Sequence, residues 1–148
     1  LNAYQNGLHE VSGYFEFLGK QCKARFDVLH IDDDIKVVTI IDLKTTAEIP
    51  GFTKDITNFK YYVQDAFYRE AVKAILGEEY TVLFYFVAIE KKYPCGVKAF
   101  DLDDDFQLEG SKYILRAMKN YDEWKSAGAD IKELYKPEIV TVAKPSWL

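Results

Sequence analysis

Between Lys36 and Leu43 the chain reads Lys-Val-Val-Thr-Ile-Ile-Asp-Leu, a nearly unbroken run of β-branched residues with no helical period. Branching at Cβ favours extended backbone. A short run that is apolar on both alternating faces suits a strand covered from both sides. This strand is expected at the centre of a sheet, and the rest of the chain must supply its neighbours and its cover.

Glu10 to Leu18 combines partial alternation with aromatic residues and stops at Gly19-Lys20, so it reads as a first strand with a turn behind it. Cys22 to Ile31 alternates again, with Ala24, Phe26, Val28 and His30 assigned to one face and Arg25, Asp27 and Leu29 to the other. The polar triplet Asp32-Asp33-Asp34 then turns the chain into the central strand. Pro50-Gly51 marks a loop, after which Phe59, Val63, Phe67, Ala71 and Ile75 recur at helical spacing. They predict one amphipathic helix over Asp55 to Leu76, ended by Gly77. Tyr80 to Ile89 is a second buried strand, and Gly96 to Leu102 a shorter edge strand. Phe106 to Trp124 is periodic again, with Asp103 or Asp104 as its cap. Residues 130–148 carry Pro137 and Pro145 and show no sustained period, so they are expected to form an irregular tail.

Composition supports a single domain over residues 1–148. A chain of this length with 49% hydrophobic and 16% aromatic residues can bury one core. Charged residues make up 29%, and no apolar run approaches the roughly 18 residues of a membrane span. Cys22 and Cys95 are too few for a disulfide framework and lack paired metal-ligand spacing, which fits a reducing cytoplasm. The net charge of −5 does not advertise a nucleic-acid binder. Carboxylates that hold a cation add negative charge, however, and the bound ion reverses the local field.

The chemistry concentrates in three residues. Asp42 and Lys44 stand two apart on one strand and so point to one face, where Asp27 can meet them from an adjacent antiparallel strand. Oxygens from Asp27 and Asp42, with the backbone carbonyl of Leu43, suit Mg²⁺ or Mn²⁺ and offer nothing to a soft metal. Plainer readings hold elsewhere. The Asp32 triplet lacks the glycine and distal glutamate of a calcium loop, Asp103 to Asp105 reads as a helix start, and Cys95 as a loop thiol. His9 faces away from its neighbour Glu10, and His30 has no partner in view. Thr45 and Thr46 either contact a phosphate or merely end the strand.

Asp27, followed after fourteen residues by Asp42-Leu43-Lys44-Thr45-Thr46, resembles the signature of the PD-(D/E)xK nuclease superfamily. Gln64 and Tyr68, four apart on the predicted helix, resemble the QxxxY motif of its RecB-like and phage exonuclease branches. Glu10-Val11-Ser12 with Lys23 to Asp27 is similar to the segment of exonuclease VIII and lambda-type exonucleases in which an upstream glutamate joins the metal site. The resemblance spans about Glu10 to Glu90. It implies a restriction-endonuclease-like α/β core, a mixed sheet of about five strands flanked by helices, with the site where strands two and three diverge.

The same resemblance implies Asp27 and Asp42 as principal metal ligands, Glu10 as a further one, Lys44 as the catalytic lysine, and Gln64 and Tyr68 in substrate placement. One or two Mg²⁺ or Mn²⁺ ions would serve hydrolysis of phosphodiester bonds at duplex DNA ends, in recombination of the phage or prophage type. A single-strand annealing partner and a ring-shaped homo-oligomer belong to the same expectation. An endonuclease or repair nuclease on this core, or a catalytically silent DNA-binding module, is the alternative. RecB-like enzymes usually carry a histidine on a helix well before this segment. No such helix is expected before Glu10, which suggests a missing N-terminal helical portion or a branch without it.

Overall fold

The computed structural model describes residues 2–128 together with Thr141, Ala143 and Lys144. The expected tail at 130–148 otherwise lies outside the described residues. Helix α1 (Asn2–Asn6) precedes strands β1 (Leu8–Phe17), β2 (Lys20–Asp32) and β3 (Val37–Thr46). A 3-10 turn (Ile49–Gly51) leads into α2 (Phe52–Asn58) and α3 (Tyr61–Leu76), then β4 (Thr81–Glu90), β5 (Val97–Phe100) and α4 (Asp104–Ser126).

The five strands form one mixed sheet in the order β1-β2-β3-β4-β5. All neighbours are antiparallel except β3 and β4, which run parallel with Asp42 opposite Phe86 and Lys44 opposite Ala88. A parallel pair needs a crossover, and residues 47–80 supply it through α2 and α3. Val38, Ile40, Phe84, Phe86 and Ala88 are at most 1% exposed beneath these helices. Tyr62 and Ala66 of α3 meet α4, where Gly110 permits a close approach. Asp103 caps α4 by accepting from the Phe106 amide at 3.0 Å.

The second face of the central strand carries Thr39, Ile41 and Leu43 beside Tyr85 and Val87; among the described residues α1 alone lies over part of it, and Leu43 is exposed. The short α1 was not foreseen; it precedes Glu10 and contains no histidine.

The long helix expected over Asp55 to Leu76 is two helices. Lys60 takes the left-handed conformation at φ 54°, and its amide closes back on the Thr57 carbonyl. The break turns the chain so that Phe52 and Ile56 of α2 and Tyr62, Ala66, Ala71 and Val72 of α3 are all buried. Phe59, assigned by spacing to the apolar stripe, falls at the corner and is 66% exposed; Ile75 is also exposed.

The alternation expected of β2 slips by one residue. Phe26 and Leu29 both join the core beneath α3, whereas Val28 lies opposite Ile41 on the other face, against Gly7. Glu10, directly across from Asp27, stands at φ 52° in a gap between the pairs His9–Val28 and Val11–Phe26. A positive φ reverses the side-chain direction, so both strands change face together.

Candidate active site

That slip lies where the sheet forks. β2 pairs with β3 only from Val28–Ile41 to Asp32–Val37, so beyond Ile41 the β3 backbone loses its partner on that side. The Leu43 amide would be orphaned there, and an unpaired backbone donor is costly. Asp27 replaces the missing carbonyl: its Oδ2 accepts from the Leu43 amide at 2.8 Å. This contact fixes one carboxylate beside the backbone that separates Asp42 from Lys44.

Asp42 is 2% exposed and Lys44 lies on the same face, as a spacing of two requires. The Lys44 ammonium contacts Asp42 Oδ1 and donates to Gln64 Oε1 at 2.9 Å. The Gln64 amide nitrogen donates to Asp42 Oδ2. Gln64 therefore gives its oxygen to the cation and its nitrogen to the anion, so one neutral side chain orients both. The ammonium also sits over the rings of Tyr61, at 4.9 Å, and Phe86, at 5.7 Å. Cation–π attraction and two acceptors hold it with its side chain only 18% exposed.

Burial pushes the Asp42 carboxyl above its usual range; Lys44 and Gln64 oppose the shift and nearby Asp27 adds to it. Asp42 Oδ1 has the ammonium as a charged neighbour but makes no hydrogen bond of good geometry with it. A buried carboxylate beside a second carboxylate suits a hard divalent cation. These residues fit one. Among the described residues, however, no three His, Cys, Asp or Glu side chains converge as a complete ligand set.

Glu10 accounts for that. Although it faces Asp27 across β1 and β2, its carboxylate is exposed and meets the Arg25 guanidinium at 3.2 Å. The structure brings together Asp27, Asp42, Lys44 and Gln64, with Leu43 between Asp42 and Lys44, and leaves the Glu10 carboxylate on Arg25. Tyr68 is adjacent. Its hydroxyl donates to the Arg25 carbonyl at 2.7 Å and its ring packs edge-on to Phe26, bracing β2 two residues before Asp27. Burial raises the Tyr68 pKa.

Two contributors had not been singled out. Tyr61 stacks on Phe86 at 5.4 Å and supplies a face to Lys44; its position three before Gln64 on the helix was the available signal. Asp65, fully buried beside Gln64, pairs with Arg69 at 2.6 Å, and Arg69 also donates to the Val82 carbonyl. This ties α3 to β4. Burial lifts the Asp65 carboxyl to about 6 against the opposing pull of Arg69.

Residues 1–131 match the family model described as a PDDEXK-like domain of unknown function, DUF3799. None of the curated proteins matches the chain. Among solved structures, a proposed exonuclease from Eubacterium rectale aligns with a TM-score of 0.71 at 19% identity. The alignment covers 95% of this chain and 56% of that one, so the chain spans little more than half the length of its structural relative. At this identity the likeness shows the fold, a restriction-endonuclease-like α/β core. A second structure, of SSO0001, aligns at a TM-score of 0.43 and 15% identity, covering 95% of this chain and 64% of that one, and carries no argument.

Proposed function

Because the chain belongs to the PDDEXK-like family DUF3799 and carries the nuclease core of that superfamily, we propose that it is a divalent-metal-dependent exodeoxyribonuclease acting at duplex DNA ends. The observation that carries this reading is the group at the fork: Asp27 held by the Leu43 amide, buried Asp42, and Lys44 oriented by Gln64. Asp27 and Asp42, with the Leu43 carbonyl, would hold Mg²⁺ or Mn²⁺, and Glu10 would join them on release from Arg25. The bound ion would polarise the phosphate and lower the pKa of a water molecule.

The remaining chemistry belongs to the chain itself. Lys44 presents a fixed positive charge toward charge that develops on phosphate oxygens. Gln64 orients that ammonium and Asp42 by bonding to both, and the Tyr61 and Phe86 rings exclude water from the other side of the ammonium. Tyr68 holds β2 so that Asp27 stays at the fork. The phage-type recombination setting, an annealing partner and a ring-shaped assembly are part of the same proposal, as is a reducing, cytoplasmic setting for free Cys22 and Cys95. No described helix is long and apolar enough to cross a membrane.

The test uses end-labelled linear duplex and a covalently closed circle, each with Mg²⁺ or Mn²⁺ and with EDTA. Degradation of the linear form alone, abolished by EDTA and reduced at least about a hundredfold in Asp42→Asn and Lys44→Met, supports the proposal. Cutting of the circle would shift the reading to an endonuclease. Binding without cutting would make the chain a silent DNA-binding module, an outcome that the exposed, Arg25-paired Glu10 keeps in view.

A further inference from the structure

We propose that Phe59 is a stacking platform for a nucleobase of the strand whose phosphate occupies the Asp42–Lys44 site, an inference that rests on the nuclease reading above. Phe59 ends α2 at the corner before left-handed Lys60. An unbroken helix would have put Phe59 on one stripe with Val63, four residues on. The corner instead leaves the ring 66% exposed. The left-handed turn at Lys60 serves the burial of Phe52, Ile56 and Tyr62 on either side of it, whereas the exposed Phe59 ring takes no part in that core.

The use of the ring follows from its position. Phe59 lies 5.7 Å from Tyr61 with the ring planes 31° apart, and Tyr61 stacks on Phe86 with the planes 27° apart. The Lys44 ammonium sits over Tyr61. A ladder of near-parallel rings thus leads outward from the catalytic cation, and Phe59 is its solvent-facing rung. A base set against Phe59 would continue the ladder without regard to sequence, since every base has a π face. It would also add binding that does not depend on charge in a protein of net charge −5. Thr57 and Asn58, exposed on the preceding turn, are polar neighbours of the ring.

The experiment compares wild type with Phe59→Ala and Phe59→Trp on an end-labelled oligonucleotide duplex, and on the same duplex with one abasic position near the cleaved end. Phe59→Ala is expected to lower kcat/KM about tenfold, mostly through KM, while Phe59→Trp stays near wild type. The abasic substrate should cost wild type a similar factor and cost Phe59→Ala nothing further. Without metal, 2-aminopurine at that position should be quenched by wild type and by Phe59→Trp but not by Phe59→Ala. Phe59 being exposed, far-UV circular dichroism should be unchanged in both variants. Equal kcat/KM and equal quenching in Phe59→Ala, with wild type active, would overturn the platform and leave the nuclease reading standing. A variant that changes only its oligomeric state would assign the ring to a protein contact and also overturn it. Failure of wild type to cut or bind any duplex would sink both.

Discussion

Gly110→Ala sets two magnitudes of opposite sign against each other. In a solvent-facing helix interior, alanine is favoured over glycine by about 1 kcal/mol. At Gly110 the added methyl would stand 2.2 Å from the Tyr62 carbonyl oxygen and 2.9 Å from the Ala66 Cβ. Neither neighbour is the end of a flexible chain: one is α3 backbone and the other is fixed directly to it. Restoring ordinary contact means moving α4 outward by about 1 Å, a gap that forfeits a quarter to a half of each dispersion contact across the seam. Buried Ile114 and Tyr62, and Phe106 and Tyr113 against them, lie in that seam. Overpacking costs about 1–3 kcal/mol and occasionally more; a clash with α3 backbone as close as 2.2 Å belongs in the upper half of that range, about 2–3 kcal/mol, so the net effect after the propensity gain is a destabilisation of about 1–2 kcal/mol. In urea, with a slope of about 1.5 kcal/mol/M, the midpoint should fall by about 1 M. Ala117→Gly, on the exposed face of the same helix, calibrates propensity alone and should lower stability by about 1 kcal/mol. Far-UV circular dichroism across a urea series measures both. A Gly110→Ala protein as stable as wild type or more so would show that α3 and α4 slide freely, and the close-approach reasoning would be wrong. Because α3 also carries Gln64, the same variant should cleave DNA more slowly.

Asp65 makes stability pH-dependent. Its folded carboxyl sits at about 6 against 3.8 in the unfolded chain, so its contribution is fully favourable below pH 3.8 and is lost as pH rises through 6. The loss is about 3 kcal/mol, and Asp65→Asn should remove it: the gap between variant and wild-type stability should open between pH 4 and 7, and parallel curves would refute the assignment. Tyr68→Phe deletes the hydrogen bond to the Arg25 carbonyl and should lower the unfolding free energy by about 1 kcal/mol. Because Tyr68 braces β2 rather than touching Asp42, turnover should fall by less than Gln64→Leu lowers it, as single-turnover cleavage would show.

Much of this arrangement was legible because it depends on short-range periodicity. Asp42 and Lys44 share a face for the same reason that any residues two apart on a strand do, and Gln64 arrives through a helix whose stripe was visible. What escaped the sequence arises where periodicity fails. Nothing in Cys22 to Ile31 announces the slip at Asp27, which depends on the partner strand and on a left-handed Glu10. The break at Lys60 has no proline or glycine to signal it; it is set by the burial of Phe52 and Ile56 on one side and Tyr61 and Tyr62 on the other. Glu10 illustrates a third kind of gap. Its position opposite Asp27 follows from register, but the choice between the metal site and Arg25 depends on side-chain partners that strand spacing does not encode.

The parallel pairing of β3 with β4 also orders the site in time. β1, β2 and β3 join through tight turns, so the hairpins that carry Asp27 and Asp42 need only local contacts and can form early. Lys44 comes with them, but Gln64 and Tyr61 arrive only when residues 47–80 have crossed over and β4 has docked beside β3, a closure with a larger entropic cost. Until then Asp42 and Lys44 lack the neutral side chain that bonds to both. The geometry proposed for catalysis should therefore be finished by the slowest step of assembly. It should also be the first feature lost when the crossover opens, at a free energy below that of global unfolding.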